Sequence, residues 1–178
     1  PDGARFDNHA NGYGGWGASQ GQDGTGPFRT MAHGDTRIIP MELQEALYPM
    51  RVEHFGLRDD SGGAGQFRGG LGVYYAYRLH ADCKLIVKFD RIDCPPWGVA
   101  GGQAGQPGHV RVEKPDGAVH VLRKTKGFQL EADDLVHIET GGGGGYGDPR
   151  ARDKDKLRSD VLLGYVSAQS AQDIYGGV

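Results

Sequence analysis

The side chain whose setting best suits chemistry is Arg68. It stands inside Ser61–Gly72, SGGAGQFRGGLG, among Gly62, Gly63, Gly65, Gly69 and Gly70. A guanidinium fork pairs with phosphate or carboxylate through two parallel hydrogen bonds. Glycine lets other backbone or a ligand come close. Arg68 is therefore a candidate phosphate- or carboxylate-facing residue. The competing reading is an arginine that ties loops together by bonding their carbonyls. Asp148 is a second candidate to face substrate or phosphate. It follows a second glycine run at 141–149, GGGGGYGDP, in which Gly143, Gly144 and Gly145 are loop-forming.

The other reactive spacings are weaker. Gly142-x-Gly144-x-x-Gly147 has the spacing of a dinucleotide fingerprint, but Asp148-Pro149 follows at once and no βαβ unit surrounds it. No Rossmann loop is expected there, while a backbone nest for a carboxylate or phosphate stays open. Asp7-x-His9 and His33-x-Asp35 pair metal-ligand types in loops and read as hydrogen-bonded loop residues. Glu42 and Glu45 fit the positive end of a helix dipole better than an acid–base pair. Cys94 precedes two prolines and reads as an inert thiol. No GxSxG, HExxH or CxxC occurs. No metal site and no bound cofactor are expected in this chain.

Composition bounds the scaffold. The 178 residues carry a net charge of −3 and no basic stripe, which argues against nucleic acid. No apolar stretch approaches membrane-spanning length and no signal peptide is visible. Two cysteines, Cys83 and Cys94, suit reduced thiols in the cytoplasm. The chain opens Pro1-Asp2-Gly3 without Met, as expected for a processed product or a fragment. With 32 glycines and 9 prolines but also 8 tyrosines, 6 phenylalanines and 2 tryptophans, an ordered, turn-rich β protein is expected.

The pattern predicts a mainly β fold, sandwich- or barrel-like, with long glycine-rich loops. Residues 1–36 are irregular and are expected to pack on a part of the subunit outside this chain. Residues 37–150 form a β-rich core, and 151–178 a helical tail docked on it. A short helix is predicted near 41–48, with Leu43 and Leu47 on one apolar face. Strands are predicted at 50–58, 73–79, 83–89, 109–113, 118–122, 128–130 and 135–140, with 73–79 and 83–89 forming a hairpin. In the first strand Met50, Val52 and His54 should face one way and Phe55 the other. Pro115-Asp116-Gly117 reads as a turn. Two tail helices are predicted at 155–163 and 167–175, the second capped by Ser167 and stopped by Gly176-Gly177.

Six segments in order resemble the C-terminal part of the hydantoinase B / 5-oxoprolinase family. They are GGWGASQGQDG at 14–24, IPMELQEALYPMRVE at 39–53, LRDDSGGAGQFRGGLG at 57–72, PPWGVAGGQAGQPG at 95–108, TGGGGGYGDP at 140–149 and RSDVLLGYVSAQSAQDIYGGV at 158–178. The resemblance implies a B-type subunit of a hetero-oligomer. Its partners would be an A-type, ATP-binding subunit and the remaining N-terminal part of the B-type chain. ATP and Mg would sit on the A-type partner and a divalent metal in the preceding part of the B-type chain. The implied reaction is ATP-dependent opening of hydantoin, 5-oxoproline or a similar lactam. The alternatives are an acetone or acetophenone carboxylase subunit and a non-catalytic docking module.

Overall fold

The computed structural model describes residues 6–8, 13–28 and 39–178. The fold is mainly β, built from two antiparallel sheets and three short helices. The strands are β1 (Met50–Arg58), β2 (Gly72–Leu79), β3 (Cys83–Val87), β4 (His109–Glu113), β5 (Val119–Leu122), β6 (Thr125–Leu130) and β7 (Leu135–Glu139). Five of them lie in the order β1-β2-β7-β4-β5, and β3 pairs with β6 in a separate two-stranded sheet. Among the described residues neither sheet closes into a barrel.

Alternation makes the core. Val73, Tyr75, Tyr77 and Leu79 of β2 are buried with Val110 and Val112 of β4 and Val136 of β7. Val87 of β3 and Leu130 of β6 join the same apolar cluster, so the small sheet packs over one face of the large one. The predicted hairpin of residues 73–79 with 83–89 does not form. Both edges of β2 are taken, by β1 and β7, and the chain crosses to the second sheet at His80–Asp82. The predicted facing of the first strand also fails after Val52. A bulge between Val52 and His54 shifts its phase, which puts Phe55 edge-on to Tyr75 and His54 in a stack on Tyr74.

The turn at 115–117 joins β4 to β5, with Gly117 at φ 86°. Helix α1 (Met41–Leu47) begins after Pro40 and ends at Tyr48, whose N–H donates to Gln44 O. In the tail, a 3-10 turn (Pro149–Ala151) leads to α2 (Lys154–Leu162) and α3 (Ala168–Asp173). Asp153 caps α2 by accepting from the Asp155 and Lys156 N–H groups, and Ser167 Oγ caps α3 by accepting from Ser170 N–H. Leu157, Val166, Ala171 and Tyr175 close a second apolar cluster against Ala64 of the glycine loop at 61–72. No helix among the described residues is long and apolar enough to cross a membrane.

Candidate functional site

The run from Gly141 to Gly147 is the axis around which the loops assemble. Three segments surround it: 14–18, 61–70 and 96–106. Gly15 N–H donates to Gly141 O and Ala18 N–H to Gly144 O. Gly63 N–H donates to Gly143 O, while Gly143 N–H donates to Gly70 O. Gly142 N–H reaches Gln106 O, Gly145 N–H reaches Gln103 O, and Val99 N–H reaches Gly145 O. A Cβ on Gly63, Gly69, Gly70, Gly143, Gly144 or Gly145 would fall within 2.3 Å of backbone in a neighbouring segment, and on Gly62 it would fall 2.2 Å from Gly69 O in its own loop. On Gly65 it would fall 2.7 Å from Phe67 O. Glycine is required here because backbones touch on several sides of one strand of chain.

This arrangement rules out the backbone nest. The N–H groups of Gly142, Gly143, Gly145, Tyr146 and Gly147 all donate to carbonyls of this chain. They are spent holding loops and cannot also cradle an anion.

A buried ion cluster locks the bundle to the tail. Arg68 is 7% exposed. Its Nε and Nη2 donate to the two oxygens of Asp160, each at 3.3 Å, and its Nη1 donates to Gly69 O at 2.7 Å. Arg152 Nη2 donates to the same Asp160 at 2.7 Å. Arg152 also grips Asp23 through both carboxylate oxygens, at 2.8 and 3.0 Å. The Arg68 backbone N–H donates to Asp23 at 2.7 Å, and the Tyr165 ring lies under the Arg68 guanidinium at 5.3 Å. The cluster joins residue 23, the glycine loop at 68, and positions 152 and 160 of the tail. Burial pushes the Asp23 carboxyl up, but the hydrogen bond and charge of Arg152 and the amide and charge of Arg68 hold it below its usual value. Burial pulls Arg152 down, yet Asp23 and Asp160 raise it above the ordinary arginine value. Burial pushes the Tyr175 hydroxyl up to about 12, against the nearby Arg152 and Arg68 charges.

The face of the large sheet away from the core carries a second polar group. Tyr74 Oη lies 2.8 Å from His137 Nδ1, and Glu113 Oε2 lies 3.5 Å from His137 Nε2. Burial, helped by the Arg111 charge, holds the His137 imidazole below its usual value against the pull of Glu113 and Glu139. Beside it Glu139 is held by Arg58 at 3.1 Å and His109 at 3.2 Å.

The two predicted site residues sit in different settings. Arg68 turns its fork inward, in the geometry of a loop tie. Asp148 is exposed and caps the 3-10 turn, accepting from Arg150 N–H at 2.9 Å. Glu45 accepts from Val52 N–H at 2.7 Å and so joins α1 to β1. Cys94 is an exposed free thiol. His9, His33 and Asp35 lie outside the described residues. Sequence spacing missed Asp23, Arg152 and Asp160, of which Asp23 and Arg152 bond across 129 residues. No local signal marks Arg152 and Asp160, because Asp153, Lys154, Asp155, Lys156 and Arg158 are charged neighbours in the same stretch. Among the described residues no three His, Cys, Asp or Glu side chains gather to hold a metal ion. Within this cluster Asp23 and Asp160 are committed to arginines, and the glycine amides named above are committed to carbonyls.

Comparison with known proteins places this architecture. The model of the hydantoinase B/oxoprolinase family matches residues 2–149. An uncharacterised protein of Methanocaldococcus jannaschii is 42% identical over 136 residues, covering 76% of this chain and 24% of that protein. The B-type chain of a putative D-/L-hydantoinase from Pseudomonas sp. (strain NS671) is 32% identical over 165 residues, covering 92% of this chain and 28% of that protein. The crystal structure of the ATP-dependent caprolactamase from Pseudomonas jessenii aligns over 92% of this chain and 29% of its own, with a TM-score of 0.75 and 30% identity. Acetone carboxylase shares the fold at a TM-score of 0.73 and 22% identity, over 92% of this chain and 26% of its own. The chain thus spans 24–29% of the length of these relatives. With most of its length matched in sequence and in fold, this chain belongs to the hydantoinase B/oxoprolinase family.

Proposed function

We propose that this chain is the carboxyl-terminal, β-rich domain of a hydantoinase B type subunit in an ATP-dependent amidohydrolase. Its substrate is a cyclic amide: hydantoin, 5-oxoproline or a similar lactam. The observation that carries the reading is the fit of 92% of the chain, at 30% identity, to an ATP-dependent caprolactamase. An unstrained amide resists hydrolysis, and phosphorylating its oxygen supplies a leaving group. In this reading an A-type partner binds ATP and Mg and carries out that activation. A divalent metal belongs to the part of the B-type subunit outside this chain.

The chain's own contribution is positional. The glycine axis holds the segments 14–18, 61–70 and 96–106 in fixed register. Asp160 and Arg152 fasten the tail across them. Arg68 is a positioning residue that fixes the loop at 61–72, and Asp148 holds the start of the tail. The isolated chain turns over nothing.

The test supplies ATP to the assembled complex with 5-oxoproline, hydantoin or caprolactam in one series, and acetone plus bicarbonate in another. ATP-dependent ring opening supports the proposal. ATP-dependent carboxylation of the ketone assigns the chain to a ketone carboxylase instead. Turnover of a lactam by the purified 178 residues alone would overturn the positional role.

A further inference from the structure

Helix α1 is built inside out. Leu43 and Leu47, one turn apart, are 47% and 58% exposed, and Ile39, a turn earlier, is 43% exposed. The buried position of the helix is Gln44. Its side-chain amide donates to Ile39 O at 3.2 Å and its Oε1 accepts from the Tyr75 hydroxyl at 3.2 Å. Phe6, 41% exposed, lies against Tyr48 at the end of the helix, with ring centroids 6.3 Å apart. Phe55, 39% exposed, stands on Tyr75, the same residue that anchors Gln44. Leu43 and Leu47 thus share one exposed face of α1, with the exposed rings of Phe6 and Phe55 against Tyr48 at its end and Tyr75 beneath its anchor. An apolar stripe turned to solvent while the helix buries an amide is the reverse of an ordinary surface helix, and clustered exposed apolar groups mark a contact surface.

We infer that this face seats the polypeptide that precedes residue 1 in the longer subunit, an inference that rests on the carboxyl-terminal-domain reading above. Two observations select that occupant. The matched region makes up 24–29% of the relatives' length, so more than two thirds of such a protein is other polypeptide. And Phe6 pins the early chain beside the Tyr48 end of α1.

The experiment compares two proteins by photoactivated diazirine labelling and mass spectrometry: the 178-residue chain and the native gene product that contains it. Labelling of Leu43 and Leu47 is expected to fall several-fold in the longer protein, while exposed Val121 on β5 labels equally in both. Leu43→Glu with Leu47→Glu should leave the melting temperature of the 178-residue chain unchanged and restore diazirine labelling of Phe6 and Phe55 in the longer protein. A native product of only these 178 residues would defeat the domain reading, and the occupant with it. A longer product in which Leu43 and Leu47 label as strongly as in the short chain would defeat the docking inference and leave the domain reading standing. A 178-residue chain that sediments as a dimer, and becomes monomeric with the double substitution, would assign the face to a second copy and overturn the inference.

Discussion

Asp160 and Arg68 are separated by 92 residues and meet through two hydrogen bonds of 3.3 Å. Arg152 shares the same carboxylate. Two buried guanidinium groups therefore share one acidic side chain, with Arg152 holding Asp23 as well, and Asp160 ties the glycine loop to the tail.

Asp160→Asn takes the carboxylate partner from the buried Arg68 side chain and leaves Arg152 with Asp23 alone. Breaking such a buried pair on one side costs about 3–5 kcal/mol. Urea unfolding should show that loss with an unchanged slope. Asp155→Asn, which removes an exposed partner of Arg158, should cost less than about 1 kcal/mol. Equal losses for the two variants would contradict the role given to Asp160.

Gly143→Ala places a Cβ 1.9 Å from Trp16 O, inside backbone that cannot move aside without parting the segments. The expected loss is about 3 kcal/mol or more. Gly127→Ala in β6 meets nothing nearer than Lys84 Cδ at 3.9 Å and should be neutral or stabilising by about 0.5–1 kcal/mol. Thermal melts of both variants check the contrast, and a Gly143→Ala protein that melts like the parent would refute the close-packed axis.

His137 and Asp23 contribute to the acid response. His137 has a lowered proton affinity in the fold, chiefly from burial and then from Arg111. The unfolded chain therefore takes up that proton first. Its contribution is full above about pH 6.5 and is lost as pH falls through the lower folded value. Asp23 is likewise held low, once the arginines outweigh its burial, so its contribution is full above about pH 3.9 and is lost below that. The melting temperature should decline first below about pH 6.5, and His137→Gln should remove that step. A second decline below about pH 4 should shrink in Asp23→Asn. A melting temperature that rises on going from pH 7 to pH 5 would contradict the sign.

Much of the fold was legible because strand alternation is a local property. Val73, Tyr75, Tyr77 and Leu79 announce β2, and Ser167 announces the cap of α3. Strand partners are not local. Nothing in the sequence around Tyr77 says that it pairs with Val136, and a single extra residue near Glu53 reverses the facing of His54 and Phe55. The glycine clusters pointed to close approach, but not to Gly141–Gly147 as its axis. The ion cluster was hidden because Asp23, Arg68 and Asp160 converge only through tertiary packing. The spacing of Leu43 and Leu47 correctly gave one apolar face on α1 but not its direction, which the Gln44–Tyr75 hydrogen bond decides.

The most direct test of the central claim is the product formed per ATP by the complex that contains this chain. Incubation with ATP and 5-oxoproline, hydantoin or caprolactam should release ring-opened product together with phosphate, and neither should accumulate without ATP. Incorporation of labelled bicarbonate into a ketone, with all three cyclic amides left intact, would contradict it.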